Sequence, residues 1–221
     1  MNTYGMVTKN RNTSSGFKGY RMYTLMPFLM LTIFLATPSF SFAQQHQGAK
    51  ILILYYSLTG NTKASCEALQ KILGTDILEI KDLRNRSGKW GFFKTAIASL
   101  IGRPTKIEPE HPNLSSYSFI ILGSPIWTGK LSMAIRTLVD RNRFDGKKVV
   151  IFTTTNAYEK EKYKEKSRSL VRRAGGEVVG YYQVLASEER EGKDVARSKE
   201  KIVEDTLKYV PEIQKAFSLV P

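Results

Sequence analysis

An α/β sandwich, built on a parallel five-stranded sheet with helices on both faces, is the fold predicted for this 221-residue chain. Three observations lead there. From Lys50 onward the hydrophobic pattern switches repeatedly between short β-rich runs and helical spacing. The first such run, Lys50–Tyr56 (KILILYY), is continuously apolar, as a strand buried on both faces requires. No repeat or linker interrupts 50–217, so these elements belong to one domain.

Taken in order, Lys50–Tyr56 is the first strand, and Lys63–Leu73 is a helix that places Ala64, Ala68, Leu69, Ile72 and Leu73 on one side. Gly74 stops that helix, and Asp76–Ile80 is the second strand. Trp90–Ile101 reads as a helix closed by Gly102 and Pro104, and Lys106–Ser116, with Pro109 and Pro112, reads as loop. Ser118–Leu122 is the third strand, ending at Gly123. Leu131–Arg141 is helical and Lys148–Thr153 is the fourth strand. Glu159–Arg173 is a charged helix stopped by Gly175-Gly176, and Val178–Val184 is the fifth strand. Lys193–Phe217 supplies a closing helix with a break expected at Pro211.

Residues 1–43 read as an address rather than as part of the fold. A basic stretch ends at Arg21, an apolar run spans Met22–Thr37, and small residues stand at Ser41 and Ala43. That order is the one found in secretory signal peptides, with cleavage after Ala43. The alternative is an uncleaved segment that anchors the protein to a membrane, although the run is short of the roughly 20 apolar residues of a spanning helix. The expectation is therefore an exported protein, periplasmic or secreted, with a short extension at 44–49 and a domain over 50–221.

Composition narrows the chemistry. One cysteine excludes an internal disulfide framework and Cys-rich metal sites, and two histidines leave little room for histidine-based catalysis. Cys66 sits among Ala64, Ala68 and Leu69 and reads as a packed, inert thiol. The formal net charge is +14; removing residues 1–43 takes away Lys9, Arg11, Lys18 and Arg21 and no acid, leaving +10. A basic surface suits anionic partners, namely an acidic protein, an anionic membrane surface or an anionic cofactor. No DNA- or RNA-binding module pattern accompanies the basic residues, so nucleic acid is not an expected partner.

In open parallel sheets, ligands bind beyond the carboxyl ends of the strands. Three loops there stand out. Ser57-Leu58-Thr59-Gly60-Asn61-Thr62 offers three hydroxyls, a glycine and backbone amides at a helix N-terminus, the ingredients of a monophosphate cradle. No Walker-type lysine follows and Gly-x-Gly-x-x-Gly is absent, which argues against triphosphates and dinucleotides. Ser124-Pro125-Ile126-Trp127-Thr128-Gly129 follows the third strand and carries an indole among polar and Pro/Gly neighbours, where it can serve as a stacking plate. Thr153-Thr154-Thr155-Asn156-Ala157-Tyr158 follows the fourth strand.

The first loop resembles the phosphate loop of flavodoxins, Ser/Thr-x-Thr-Gly-x-Thr, with matches at Ser57, Thr59, Gly60 and Thr62. Gly123–Lys130 resembles the flavodoxin loop that lays an aromatic against the isoalloxazine ring, with Trp127 at the aromatic position. The resemblance covers about residues 50–185. It implies a flavodoxin-like three-layer sandwich, strand order 2-1-3-4-5, with FMN as cofactor. It also implies a site made of Ser57–Thr62, Ser124–Gly129, Thr154, Thr155, Asn156 and, as a second plate, Tyr158.

The function so implied is electron transfer with a redox partner protein, for which the cofactor supplies the chemistry and no acid–base residue is needed. The alternative is an FMN-dependent quinone or nitro-compound reductase using a nicotinamide cofactor, which requires a second pocket beside the flavin. A third reading is a non-redox protein that holds another phosphorylated ligand; Trp127 weighs against it.

Overall fold

A computed structural model describes residues 50–84 and 104–218. Five parallel strands form the sheet: β1 (Ile51–Tyr55), β2 (Asp76–Glu79), β5 (Phe119–Trp127), β7 (Lys148–Thr155) and β8 (Glu177–Leu185), in the order β2-β1-β5-β7-β8. Counting the five parallel strands alone, that is the expected order 2-1-3-4-5. Helices α1 (Asn61–Leu73), α2 (Met133–Arg141), α3 (Glu161–Arg173), α4 (Lys199–Leu207) and α5 (Val210–Ala216) complete the sandwich.

Successive residues of a strand point to opposite faces, and in the central strands both faces are apolar. Leu52, Leu54, Ile120, Leu122, Val149 and Ile151 pack with Ile135 and Leu138 of α2 and Val171 of α3. Their neighbours Ile51, Ile53, Ile121, Val150 and Phe152 pack with Cys66 and Leu69 of α1, Ile202 of α4 and Ile213 of α5. Fully burying each such side chain contributes about 1.5–3 kcal/mol, so the continuous runs read in the sequence become the middle of the sheet.

Several expectations need correction. The third strand does not stop at Gly123; β5 continues to Trp127 and turns back through β6 (Lys130–Leu131), pairing Ile126 with Leu131 and Trp127 with Lys130. The turn residues Thr128 and Gly129 both have positive φ (52° and 69°), which matches the twist of a two-residue hairpin. The fourth strand likewise runs to Thr155. Within the expected 106–116 loop, β4 (Ile107–Glu108) pairs antiparallel with β3 (Lys81–Asp82).

The buried face of α1 is Thr62, Ser65, Cys66, Leu69 and Leu73, whereas Ile72, expected inside, is 54% exposed. Residues 193–198 are not helical. β9 (Ser187–Arg190) and β10 (Lys193–Ala196) form a hairpin before α4 starts at Lys199. The expected break falls at Lys208–Tyr209, and Pro211 occupies the first turn of α5, where its missing N–H is tolerated. The helix read at Trp90–Ile101 and the leader 1–43 lie outside the described residues. Among the described residues no helix is long and apolar enough to cross a membrane.

Candidate functional site

The strand order reverses between β1 and β5, and three loops converge at the carboxyl edge beside that switch. Tyr55 pairs with Gly123, Gly123 with Phe152 and Pro125 with Thr154, so the ends of β1, β5 and β7 lie side by side.

The loop after β1 is shaped by its own side chains. Ser57 Oγ accepts a hydrogen bond from Gly60 N–H at 3.1 Å, and Gly60 adopts φ 88°, a left-handed value that glycine tolerates. The helix has no side-chain cap, and its first backbone bond runs from Ala64 N–H to Gly60 O at 3.0 Å. The amides of Asn61, Thr62 and Lys63 are therefore left at the open end of the helix, where its dipole favours an anion. Thr59 is exposed and its hydroxyl is open to a ligand. Thr62 is 1% exposed, and its Oγ1 lies 2.7 Å from Thr154 Oγ1, which is 3% exposed. That buried contact joins two predicted residues 92 positions apart and ties α1 to the end of β7.

This tie depends on a close approach of α1 to β5. A Cβ on Gly123 would stand 2.4 Å from Cys66 Sγ and 2.8 Å from Tyr55 Cβ. Cys66 is fully buried, and burial pushes its thiol pKa up, which matches the inert thiol expected.

The hairpin after β5 carries the indole. Trp127 is half-buried and meets Tyr56 edge-on, with ring centroids 5.9 Å apart and planes at 89°. Ser124 faces inward rather than toward a ligand: its Oγ accepts from Ser132 N–H at 2.9 Å and shares its proton between Pro125 O and Ser132 Oγ. Ser132 in turn caps α2 by accepting from Ile135 N–H. Pro125 and Ile126 are half-buried strand residues, and exposed Thr128 donates to Trp127 O at 2.7 Å. Gly129 lies under the Tyr163 ring, 2.9 Å from where its Cβ would be.

After β7, Thr155 Oγ1 donates to Ala157 O at 2.8 Å, and exposed Asn156 accepts at its carbonyl from Ser187 Oγ at 3.1 Å. The β9–β10 hairpin is thereby fastened to the site's edge. Tyr158 is 64% exposed, and Leu58 on the first loop is 37% exposed. An anion cradle with open amides and exposed apolar side chains on the flanking loops suits a ligand with a phosphate and a flat apolar ring. Thr154 and Ser124 are buried and hydrogen-bonded within the protein, whereas Thr59 and Tyr158 are exposed and Trp127 is half-buried.

Sequence reasoning missed Tyr56, Tyr163 and Lys199. Tyr56 was read only as the end of a strand. Lys199 brings its Nζ to 3.0 Å from the Cβ position of Gly60, a proximity with no local signature in the chain.

Comparison with known proteins agrees with this geometry. The flavodoxin family model matches residues 50–175, more than half of the chain. A flavoprotein from Lactobacillus acidophilus, solved in complex with FMN, is 25% identical with a TM-score of 0.54, covering 62% of this chain and 93% of its own. A protein of Bacteroides uniformis assigned as a flavoprotein superposes with a TM-score of 0.57 at 19% identity, covering 72% of this chain and 97% of its own. No curated protein matches the sequence.

Proposed function

The chain belongs to the flavodoxin family of FMN-binding proteins, and we propose that it works as an electron carrier with FMN held at the carboxyl edge of the sheet. The observation that carries this reading is the uncapped, open N-terminus of α1, with Trp127 at the end of β5 and exposed Tyr158 after β7 on the same carboxyl edge of the sheet. The amides of Asn61, Thr62 and Lys63 and the hydroxyl of Thr59 would hold the phosphate. Trp127 and Tyr158 offer aromatic surface to the ring. FMN, when bound, supplies one- and two-electron chemistry. The chain's own part is to bind, to orient and to leave one edge of the ring accessible. Tyr56 packs edge-on against the Trp127 ring, a contact that favours one orientation of the indole.

The partner we propose is an acidic redox protein. The domain carries +10, and Lys160, Lys162 and Lys166 are exposed on and before α3, just beyond the Tyr158 loop. Export, directed by residues 1–43, belongs to the same proposal. Anaerobic mixing of the FMN-loaded protein with NADH or NADPH tests the carrier reading against a reductase. A carrier leaves flavin absorbance bleaching no faster than free FMN does; rapid bleaching in the mixing experiment overturns the carrier reading. Electron transfer to an acidic acceptor should be faster than to a basic one at low salt, and the two rates should converge as screening grows.

A further inference from the structure

Within Ser57–Thr62 there is no lysine; Lys63, which follows, pairs its side chain with Glu67 at 3.8 Å, and a second lysine reaches the loop in space. The Nζ of Lys199 lies 3.0 Å, and its Cε 3.4 Å, from the position a Cβ would take on Gly60. Lys199 is 139 residues further along the chain and opens α4. We propose that Lys199 is a positioning residue for the phosphate of FMN, giving this protein a cation at the phosphate loop and with it a preference for the phosphorylated flavin. The inference rests on the FMN reading above and adds a residue to it.

Two features of like polarity face the same space. The N-terminus of α1 carries the positive end of the helix dipole, has no side-chain cap and has no acid in its first turn. The Lys199 ammonium stands over that end. In the free protein the two repel; an anion seated between them turns both contacts attractive. An ammonium with three donors on a four-carbon stem suits a phosphate, which it meets as a point charge without demanding one bidentate geometry.

The backbone that carries Lys199 is held in place from both sides. Arg197, two residues earlier, donates to Leu185 O at 3.0 Å and pairs with Asp205. Ser198 caps α4 by accepting from Lys201 N–H at 3.3 Å. Further along α4, Ile202 is fully buried and Thr206 Oγ1 donates to Ser65 Oγ of α1 at 2.9 Å. A buried hydrogen bond thus joins α1 and α4, fixing the backbone from which Lys199 reaches Gly60. Glu200 follows on α4, its carboxyl held below the ordinary range by hydrogen bonds from its own backbone and from Ser198 and then by the Lys199 charge, while Lys63 of α1 pairs with Glu67 at 3.8 Å.

The test is a titration of the full chain with FMN and with riboflavin, followed by flavin fluorescence, at low and high salt. The proteins are wild type, Lys199→Gln, Lys199→Arg and, as a control of equal charge change on the same helix, Lys201→Gln. Lys199→Gln should raise the FMN dissociation constant about five- to tenfold at low salt and leave riboflavin within about twofold. Lys199→Arg should retain most of the affinity, and Lys201→Gln should match wild type. The gap between wild type and Lys199→Gln should shrink as salt rises. If wild type binds FMN and Lys199→Gln binds it equally well at every salt, or loses both flavins alike, the role given to Lys199 is wrong while the cofactor reading stands. If wild type takes up neither flavin, the cofactor reading falls and this inference falls with it.

Discussion

Replacing Gly123 by Ala adds one methyl group where the site depends on there being none. Its Cβ would fall 2.4 Å from Cys66 Sγ and 2.8 Å from Tyr55 Cβ, with Thr62 Cγ2 at 3.5 Å. Ordinary carbon contacts lie at about 3.5–4.0 Å, so the first two overlaps each approach or exceed 1 Å. Neither neighbour can yield easily. Tyr55 Cβ belongs to a strand paired on both sides, and Cys66 is fully buried in α1. The strain must move α1 away from β5. Overpacking of this kind costs about 1–3 kcal/mol, and two rigid contacts place Gly123→Ala at the upper end, about 3 kcal/mol. For a domain of this size that lowers the melting temperature by about 6–12 °C. Removing one of the two clashes with Cys66→Ala should recover about 1 kcal/mol relative to additivity in a double-mutant cycle. Urea unfolding followed by circular dichroism reads both numbers. A Gly123→Ala protein within about 0.5 kcal/mol of wild type, or strict additivity with Cys66→Ala, would refute the close-approach argument.

Four further outcomes follow from the same contacts. Ser124→Ala strands the buried Ser132 N–H that Ser124 accepts from, and should cost about 1–3 kcal/mol in urea unfolding; a neutral result would remove its supporting role. Arg197→Met removes a side chain that is 8% exposed, but Asp205 keeps Lys208 at 2.7 Å, so the loss should be about 2 kcal/mol rather than the 3–5 of a fully orphaned buried charge; a loss at that higher figure contradicts the sharing. Glu159 is held above its ordinary pKa of 4.5 by burial, against the opposing hydrogen bond from Tyr181 and the charge of Lys164. A raised carboxyl contributes stability that is fully present below about pH 4.5 and lost as pH rises through its folded value. Glu159→Gln should therefore gain on wild type with rising pH over that window, and a stability difference independent of pH refutes the shift. FMN binding should quench tryptophan emission, with Trp127→Phe abolishing the quenching and Trp90→Phe retaining it; the reverse pattern identifies the other indole as the plate.

The sheet was legible because its signal is two-sided burial. KILILYY, SFIIL and KVVIFT are apolar at successive residues, and successive residues feed opposite core layers. The loop Ser57–Thr62 could be singled out as a candidate because its hydroxyls and glycine are contiguous. The end of β5 was not legible. Gly123 and Pro125 read as breakers, yet Gly123 admits the close approach of α1, and Pro125 lies where the strand is about to turn back. Both hairpins escaped for one reason. Their two-residue turns, Thr128-Gly129 and Glu191-Gly192, have positive φ at both positions but begin with Thr and Glu. The usual Asn-Gly or Asp-Gly signal is missing. The strand β10 also has four exposed residues and so shows no apolar face to read. Ser124 and Thr154 were placed in the right neighbourhood by sequence, but only packing shows that their hydroxyls are spent within the protein. Lys199 comes close to Gly60 through tertiary structure alone.

The central claim is that FMN binds with its phosphate on the loop Ser57–Thr62. Calorimetric titration of the full chain with FMN and riboflavin, repeated on Thr59→Val, tests it most directly. Thr59 is chosen because its hydroxyl is exposed, whereas that of Thr62 is engaged with Thr154. Wild type should bind FMN more tightly than riboflavin. Thr59→Val should weaken FMN by about 0.5–1.5 kcal/mol, the worth of one hydrogen bond, and leave riboflavin unchanged. Equal affinity of wild type for the two flavins, or an equal loss for both on Thr59→Val, would contradict the account.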